Sequence, residues 1–172
     1  MRELVSRFQR EVYGLCVRYV GSPHDAEDIS QEVFVRVFRS LKSWDANRPL
    51  RPWISRIAVN RCRTWLANRP KRPEPVDFLH ETPARLIEDD SRELVDEIQK
   101  ALDLLRPDYR GVFTMFHEQG CSYDEIAEVF DRPVGTIKTW LHRARTEILS
   151  YLQNRGMVPK DESAESNTLQ TE

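Results

Sequence analysis

Two stretches of this chain concentrate side chains suited to holding phosphate. From Arg48 to Arg72 run eight cations (Arg48, Arg51, Arg56, Arg61, Arg63, Arg69, Lys71 and Arg72) and no acid. Uncompensated Lys and Arg bind a polyanion by Coulombic attraction and by releasing its condensed counterions. At helical spacing Arg56, Asn60 and Arg63 share one face, and Ile54, Ile57, Ala58, Cys62 and Leu66 share the opposite one. Guanidinium groups beside an amide suit phosphate contact together with polar readout of unstacked bases. Trp53 and Trp65 lie in the same run and read as core residues rather than stacking platforms.

The second stretch is SYDEIAEVFDRPVGTIKTWLHRAR, Ser122 to Arg145. Ser122 followed by Glu125 is a capping box, in which each side chain satisfies a free backbone N–H at a helix start. Ile126, Ala127 and Phe130 form the inner face of that helix, and DRP turns the chain. Ile137, Leu141, Ala144 and Ile148 then make the buried stripe of the next helix. Thr136, Lys138, Thr139, His142, Arg143 and Arg145 are left for other faces. This is helix-turn-helix logic: one helix braces, and the next lies in the major groove. Asp131 sits in the turn, where left-handed backbone is often needed and Asp is better tolerated than most residues. A charge run is most often a solvated face, so a plain helical hairpin with no DNA contact stays open on spacing alone.

Catalytic and metal chemistry find little support. His117 and Cys121 are four apart, a spacing that can hold zinc, but Gly120 interrupts them and no second pair stands nearby. Cys16 and Cys62 sit on apolar faces as core thiols. No glycine cluster cradles a phosphate, and no Cys/His pair has an orienting third group. Neither enzyme, cofactor nor metal is expected.

These groups need helices to position them. Leu4, Phe8, Val12, Leu15 and Tyr19 recur at helical spacing, and GSP at 21–23 breaks that helix. Asp25 to Leu41 carries Ile29, Val33, Val37 and Leu41 on one stripe, with Phe34 and Phe38 beside it. Its polar face bears Asp25, Asp28, Gln31 and Glu32; acids in a first turn are ordinary helix design, while the wide apolar band suits a protein partner. A third helix runs from Pro52 to about Ala67. Pro70, Pro73, Pro75 and Pro83 then mark a linker over 69–92. Four more helices follow at about 91–105, 108–118, 122–130 and 134–152. No strand signal is present. The expected fold is all-α: two small helical domains, 1–68 and 93–153, joined by a flexible Pro-rich acidic linker, with a disordered tail at 154–172.

With 172 residues, 40% apolar and 31% charged, the chain has material for such cores. The net charge of −2 hides a sorting: residues 1–72 hold 15 Lys/Arg and 7 Asp/Glu, whereas residues 73–102 hold 3 and 9. A basic block beside an acidic connector suggests a polyanion-binding module with acids that oppose it. Met1–Tyr19 spreads four arginines through an amphipathic stretch, so no secretory leader is expected. No run approaches the roughly 18 apolar residues of a membrane span. Three widely spaced cysteines without a paired motif fit a reducing cytoplasm.

Three elements stand in order: DAEDISQEVFVRVFRSL, LRPWISRIAVNRCRTWLANRPKR and ALDLLRPDYRGVFTMFHEQGCSYDEIAEVFDRPVGTIKTWLHRAR. Together they resemble the extracytoplasmic-function class of bacterial RNA polymerase sigma factors, over about residues 3–152. The resemblance implies that Asp25, Asp28, Gln31 and Glu32 dock on core RNA polymerase. It implies that Arg56, Asn60 and Arg63 meet the melted −10 element, with Asn47 and Arg48 in the preceding loop that captures a flipped base. It implies that Thr136, Lys138, Thr139, His142, Arg143 and Arg145 meet duplex −35 DNA, and that an anti-sigma factor masks these surfaces. Trp140 and Asp131 depart from the family pattern, which usually has Arg and Gly there. The rival readings are a helix-turn-helix regulator acting without polymerase and a protein-interaction module that binds no DNA.

Overall fold

The computed structural model describes residues 2–69 and 89–159, with backbone alone for 89–92. Among these residues the chain is helical, without strands: α1 (Arg2–Val20), α2 (Pro23–Ser40), a 3-10 turn (Leu41–Ser43), α3 (Leu50–Asn68), α4 (Asp89–Leu104), α5 (Pro107–Phe113), a π turn (Thr114–Glu118), α6 (Tyr123–Phe130) and α7 (Val134–Asn154). The linker expected over 69–92 and the tail expected over 154–172 fall mostly outside the described residues. Helix α4 begins at Asp89, inside the expected linker, since no proline after Pro83 blocks its backbone until Pro107.

Local chemistry accounts for the breaks. Gly21 takes φ +77 after α1, a conformation that costs glycine little, and its N–H returns to Val17 O at 2.8 Å. Ser22 caps α2 by accepting from Asp25 N at 3.3 Å, with Pro23 in the first turn. The capping box at α6 is formed: Glu125 N donates to Ser122 Oγ (3.2 Å) and Ser122 N to Glu125 Oε2 (2.8 Å). Asp131 ends α6 in left-handed backbone, φ 55 and ψ 52, as its turn position requires.

Helices α1, α2 and α3 pack on one another, and α7 packs on α4, α5 and α6. The two groups do not stand apart. One apolar core runs from Val12, Leu15, Val33 and Ile54 through Val112, Met115 and Ile126 to Phe130 and Leu141. A second core joins α4 to α7 through Leu102, Leu105, Tyr109, Ile148 and Leu152. At the junction α1 meets α5 and α3 meets α6. Gly111 permits that approach: a Cβ there would lie 2.6 Å from Tyr19 Cε2 and 3.0 Å from Phe130 Cζ. A mid-helix glycine is unfavourable by about 1 kcal/mol relative to alanine, so its benefit lies in the close contact.

Candidate nucleic-acid interface

Helix α2 turns its apolar stripe inward (Ala26, Ile29, Val33, Val37) and leaves Asp28, Gln31 and Glu32 exposed. Asp25 is half-buried in the first turn. The exposed three border a groove of about 1040 Å³ between α2 and α3, whose other wall carries Asn60, Arg61 and Thr64, with Arg36 and Arg39 at one end. Arg61 donates to Glu32 across it. That hydrogen bond, opposed by burial, holds the Glu32 carboxyl below its ordinary range.

Helix α3 divides its cations between two surroundings. Asn60 and Thr64 face the groove and solvent. Arg61 faces the groove with them, whereas Arg63, Arg56 and Arg51, with Arg48 in the loop before the helix, reach the second group of helices. Arg63 donates from Nε and Nη2 to Asp108 Oδ1, each at 3.1 Å, and its guanidinium carbon stands 5.1 Å from the centre of the Phe130 ring. Arg56 lies 3.8 Å from the Asp131 carboxylate. Arg48 pairs with Glu128 at 2.6 Å, and Arg51 reaches both Glu11 (2.8 Å) and the Gln119 carbonyl (2.5 Å). Tyr19 is 2% exposed and donates its hydroxyl to Asp108. Burial first, and then the Asp108 charge, push the Tyr19 hydroxyl far above its ordinary pKa, so it remains a donor. Asn47 closes the preceding loop on Asp45, through its backbone and side-chain nitrogens at 3.0 Å. In that loop Trp44 stacks obliquely on Trp53 at 6.4 Å, and its buried Nε1 has no partner among the described residues.

Helix α7 buries Ile137, Leu141, Ala144 and Ile148, and so divides the other polar set. Lys138, His142 and Arg145 recur at four and three residues on one exposed face, with Thr139 at its flank. Thr136 is half-buried on the far side. Arg143, also on the far side, donates from Nη1 to the Tyr109 hydroxyl at 3.1 Å. Trp140 packs between Tyr109 (6.1 Å) and Phe130 (6.0 Å), which answers what its bulk is for.

An aromatic shelf from outside α7 underlies the exposed face. Phe116 and Tyr123 stack at 4.9 Å. Lys138 Nζ lies 5.5 Å from the Tyr123 ring, and the Arg145 guanidinium 5.3 Å from the Phe116 ring. Sequence reasoning missed this shelf and the partners at the junction. Gly111 inside an apolar helical run was the one signal of close approach. Asp108 stands in the first turn of α5, where an acid matches the helix dipole, and nothing local marks it as a partner of Arg63.

The chain matches two family descriptions, Sigma-70 region 2 over residues 4–72 and Sigma-70, region 4 over residues 96–148. It is 34% identical over 163 residues to the ECF RNA polymerase sigma-E factor of Haemophilus influenzae, covering 87% of this chain and 86% of that one. It is 32% identical to the ECF RNA polymerase sigma factor SigW of Bacillus subtilis, covering 88% of each. In fold it resembles the sigma factor RpoE, solved with the anti-sigma factor NepR from Bartonella quintana, at a TM-score of 0.76 and 20% identity over 88% of this chain and 96% of that one. The two matched regions, in this order and over nearly the full length of such relatives, place the chain in the extracytoplasmic-function family of RNA polymerase sigma factors.

Proposed function

We propose a division of labour for this sigma factor in promoter recognition with RNA polymerase. Asp28, Gln31 and Glu32, with Asp25 at the helix start, dock α2 on the core enzyme. Arg56, Asn60 and Arg63, with Asn47 and Arg48 in the loop before α3, hold the melted −10 strand. Lys138, His142 and Arg145, flanked by Thr139, meet duplex −35 DNA, with Arg143 and Thr136 in supporting positions. Residues 1–68 and 93–153 act as two domains that part for the work.

One observation carries this reading. The exposed α2 carboxylates and the exposed α7 cations lie on different helical groups, and Arg63 and Arg56 of α3, with Arg48 in the loop before it, are met by Asp108, Asp131 and Glu128. Carboxylates there occupy cations that a phosphate backbone would otherwise take. Promoter opening then requires the domains to separate, and the polymerase surface is what would favour the separated state. Extruding a base costs a few kcal/mol, offset by a site that fits only the melted strand. Phosphoryl transfer belongs to the polymerase; this chain contributes binding and no catalytic step. No helix among the described residues is long and apolar enough to cross a membrane, and we assign the chain to the cytoplasm with its polymerase. The compact arrangement resembles that of a sigma factor solved with an anti-sigma partner, and a partner of that class, clasping both domains, is part of the proposal.

The test is run-off transcription with bacterial core polymerase on a library of promoter-like fragments. Specific transcripts that vanish in the Asp28→Ala, Gln31→Ala double variant support docking through α2. DNA binding without transcripts, using cognate core, would overturn it in favour of a regulator acting alone.

A further inference from the structure

One neighbour of the exposed α7 face has no role in the proposal above. His117 lies in the π turn after α5, with its ring 4.5 Å from Phe113 and edge-on to Phe116 at 5.1 Å. These rings restrict its rotation. Its Nε2 accepts from Arg145 Nε at 3.2 Å and lies 3.1 Å from Arg145 Nη2. A guanidinium donates and never accepts. Nε2 therefore carries a lone pair, and the imidazole is neutral with its proton on Nδ1. Burial, and then the charge of Arg145, hold His117 below its ordinary pKa. Glu118 opposes them, and Glu118 is itself paired with Arg18 of α1 at 3.0 Å.

The guanidinium has two donor edges. His117 takes the Nε–Nη2 edge, and the Phe116 ring limits rotation about the remaining torsions. The Nη1–Nη2 edge is left for solvent, with two parallel donors. That fork is the geometry that reads O6 and N7 of a guanine in the major groove. A side chain already held in place also loses less freedom on binding.

We propose that His117 is a positioning residue for promoter readout: its neutral imidazole holds Arg145 so that the guanidinium meets one guanine of the −35 element end-on. The inference rests on the reading of α7 as the −35 helix. It has a consequence that a purely structural histidine lacks. Protonation turns Nε2 into a donor and repels Arg145, so base discrimination falls; the added cation meanwhile sustains attraction to phosphate. Acid therefore separates specificity from affinity.

The experiment uses the full chain assembled with bacterial core polymerase. Binding is measured on duplex fragments in which each base pair of the upstream element is replaced in turn, between about pH 5 and pH 8. Arg145→Ala should flatten the preference at one position. His117→Ala should lower discrimination at that same position about fivefold, the low end for one bidentate pair, and leave other positions unchanged. His117→Gln keeps a neutral acceptor, so it should restore the preference and remove its acid sensitivity. His142 stays in every variant, so its effect is common to all. The proposal is overturned if Arg145→Ala flattens a position that His117→Ala preserves, or if the wild-type preference ignores pH. If Arg145→Ala changes no position, the reading of Arg145 as a −35 contact falls first and takes this inference with it.

Discussion

Arg63 and Asp108, 45 residues apart in sequence, are joined across the junction of the two helical groups by two hydrogen bonds of 3.1 Å to a single carboxylate oxygen. The same carboxylate accepts from the buried Tyr19 hydroxyl. A cation assigned to the melted strand is thus already engaged by an anion of its own chain.

Removing the Asp108 charge should free Arg63. Asp108→Asn is expected to raise the affinity of the free protein for a single-stranded −10 oligonucleotide about three- to tenfold at low salt, with the gain fading as salt rises. Fluorescence anisotropy across a salt series measures it. Equal affinities for variant and wild type would remove Asp108 as a competitor.

Gly111 tests the packing side of the same junction. Gly111→Ala drives a methyl into the Tyr19 ring at 2.6 Å, and overpacking of this kind costs about 1–3 kcal/mol. Gly14 is the control, since a Cβ there meets nothing within 4 Å. Gly14→Ala should gain up to about 1 kcal/mol from helix propensity. Urea unfolding of the two variants should therefore move in opposite directions.

Glu97 predicts an acid limit to stability. Arg155, and then Lys100, hold its carboxyl down to about 2 against the opposing effect of burial. An unfolded glutamate titrates near ~4.3, so the unfolded chain binds more protons between the two values. The contribution is complete above ~4.3 and is lost as pH falls toward about 2. Thermal melts over that window should decline less steeply for Glu97→Gln than for wild type. Parallel declines would show that the Arg155 pair adds nothing.

The α7 cations should separate by face. Lys138→Ala is expected to reduce the slope of log affinity against log salt for duplex −35 DNA by about one counterion. Arg143→Ala, whose guanidinium is turned to Tyr109, should leave that slope nearly unchanged. Filter binding with the assembled polymerase distinguishes them, and equal losses would return Arg143 to the DNA-facing set.

Much of this was open to reading residue by residue. Ser122 and Glu125 announce their capping box because both partners lie within one turn. Asp131 announces its left-handed turn for the same reason. Periodicity located the helices, although α2, α3 and α4 start at Pro23, Leu50 and Asp89 rather than at Asp25, Pro52 and about 91, and the helix expected over 108–118 passes into a π turn at Thr114. The acids facing the basic block were not legible. Sequence charge suggested the acidic linker, which lies mostly outside the described residues, whereas Arg63, Arg48 and Arg56 meet Asp108, Glu128 and Asp131 on α5, α6 and the turn after it.

The sequence by itself determined the helices, their caps, their apolar stripes and the two regions that mark a sigma factor, because each depends on residues within a few positions of one another. Only the tertiary structure decided which cations face solvent. Arg56 and Arg63 share a helical face with Asn60, yet they meet partners that only the packing of α5 and α6 on α1 and α3 brings near. Likewise Arg145 and Arg143, two residues apart, are parted by the helix: one meets His117 and the other Tyr109. Charge and periodicity are local, but the dielectric and partner of each charge are set by what folds against it.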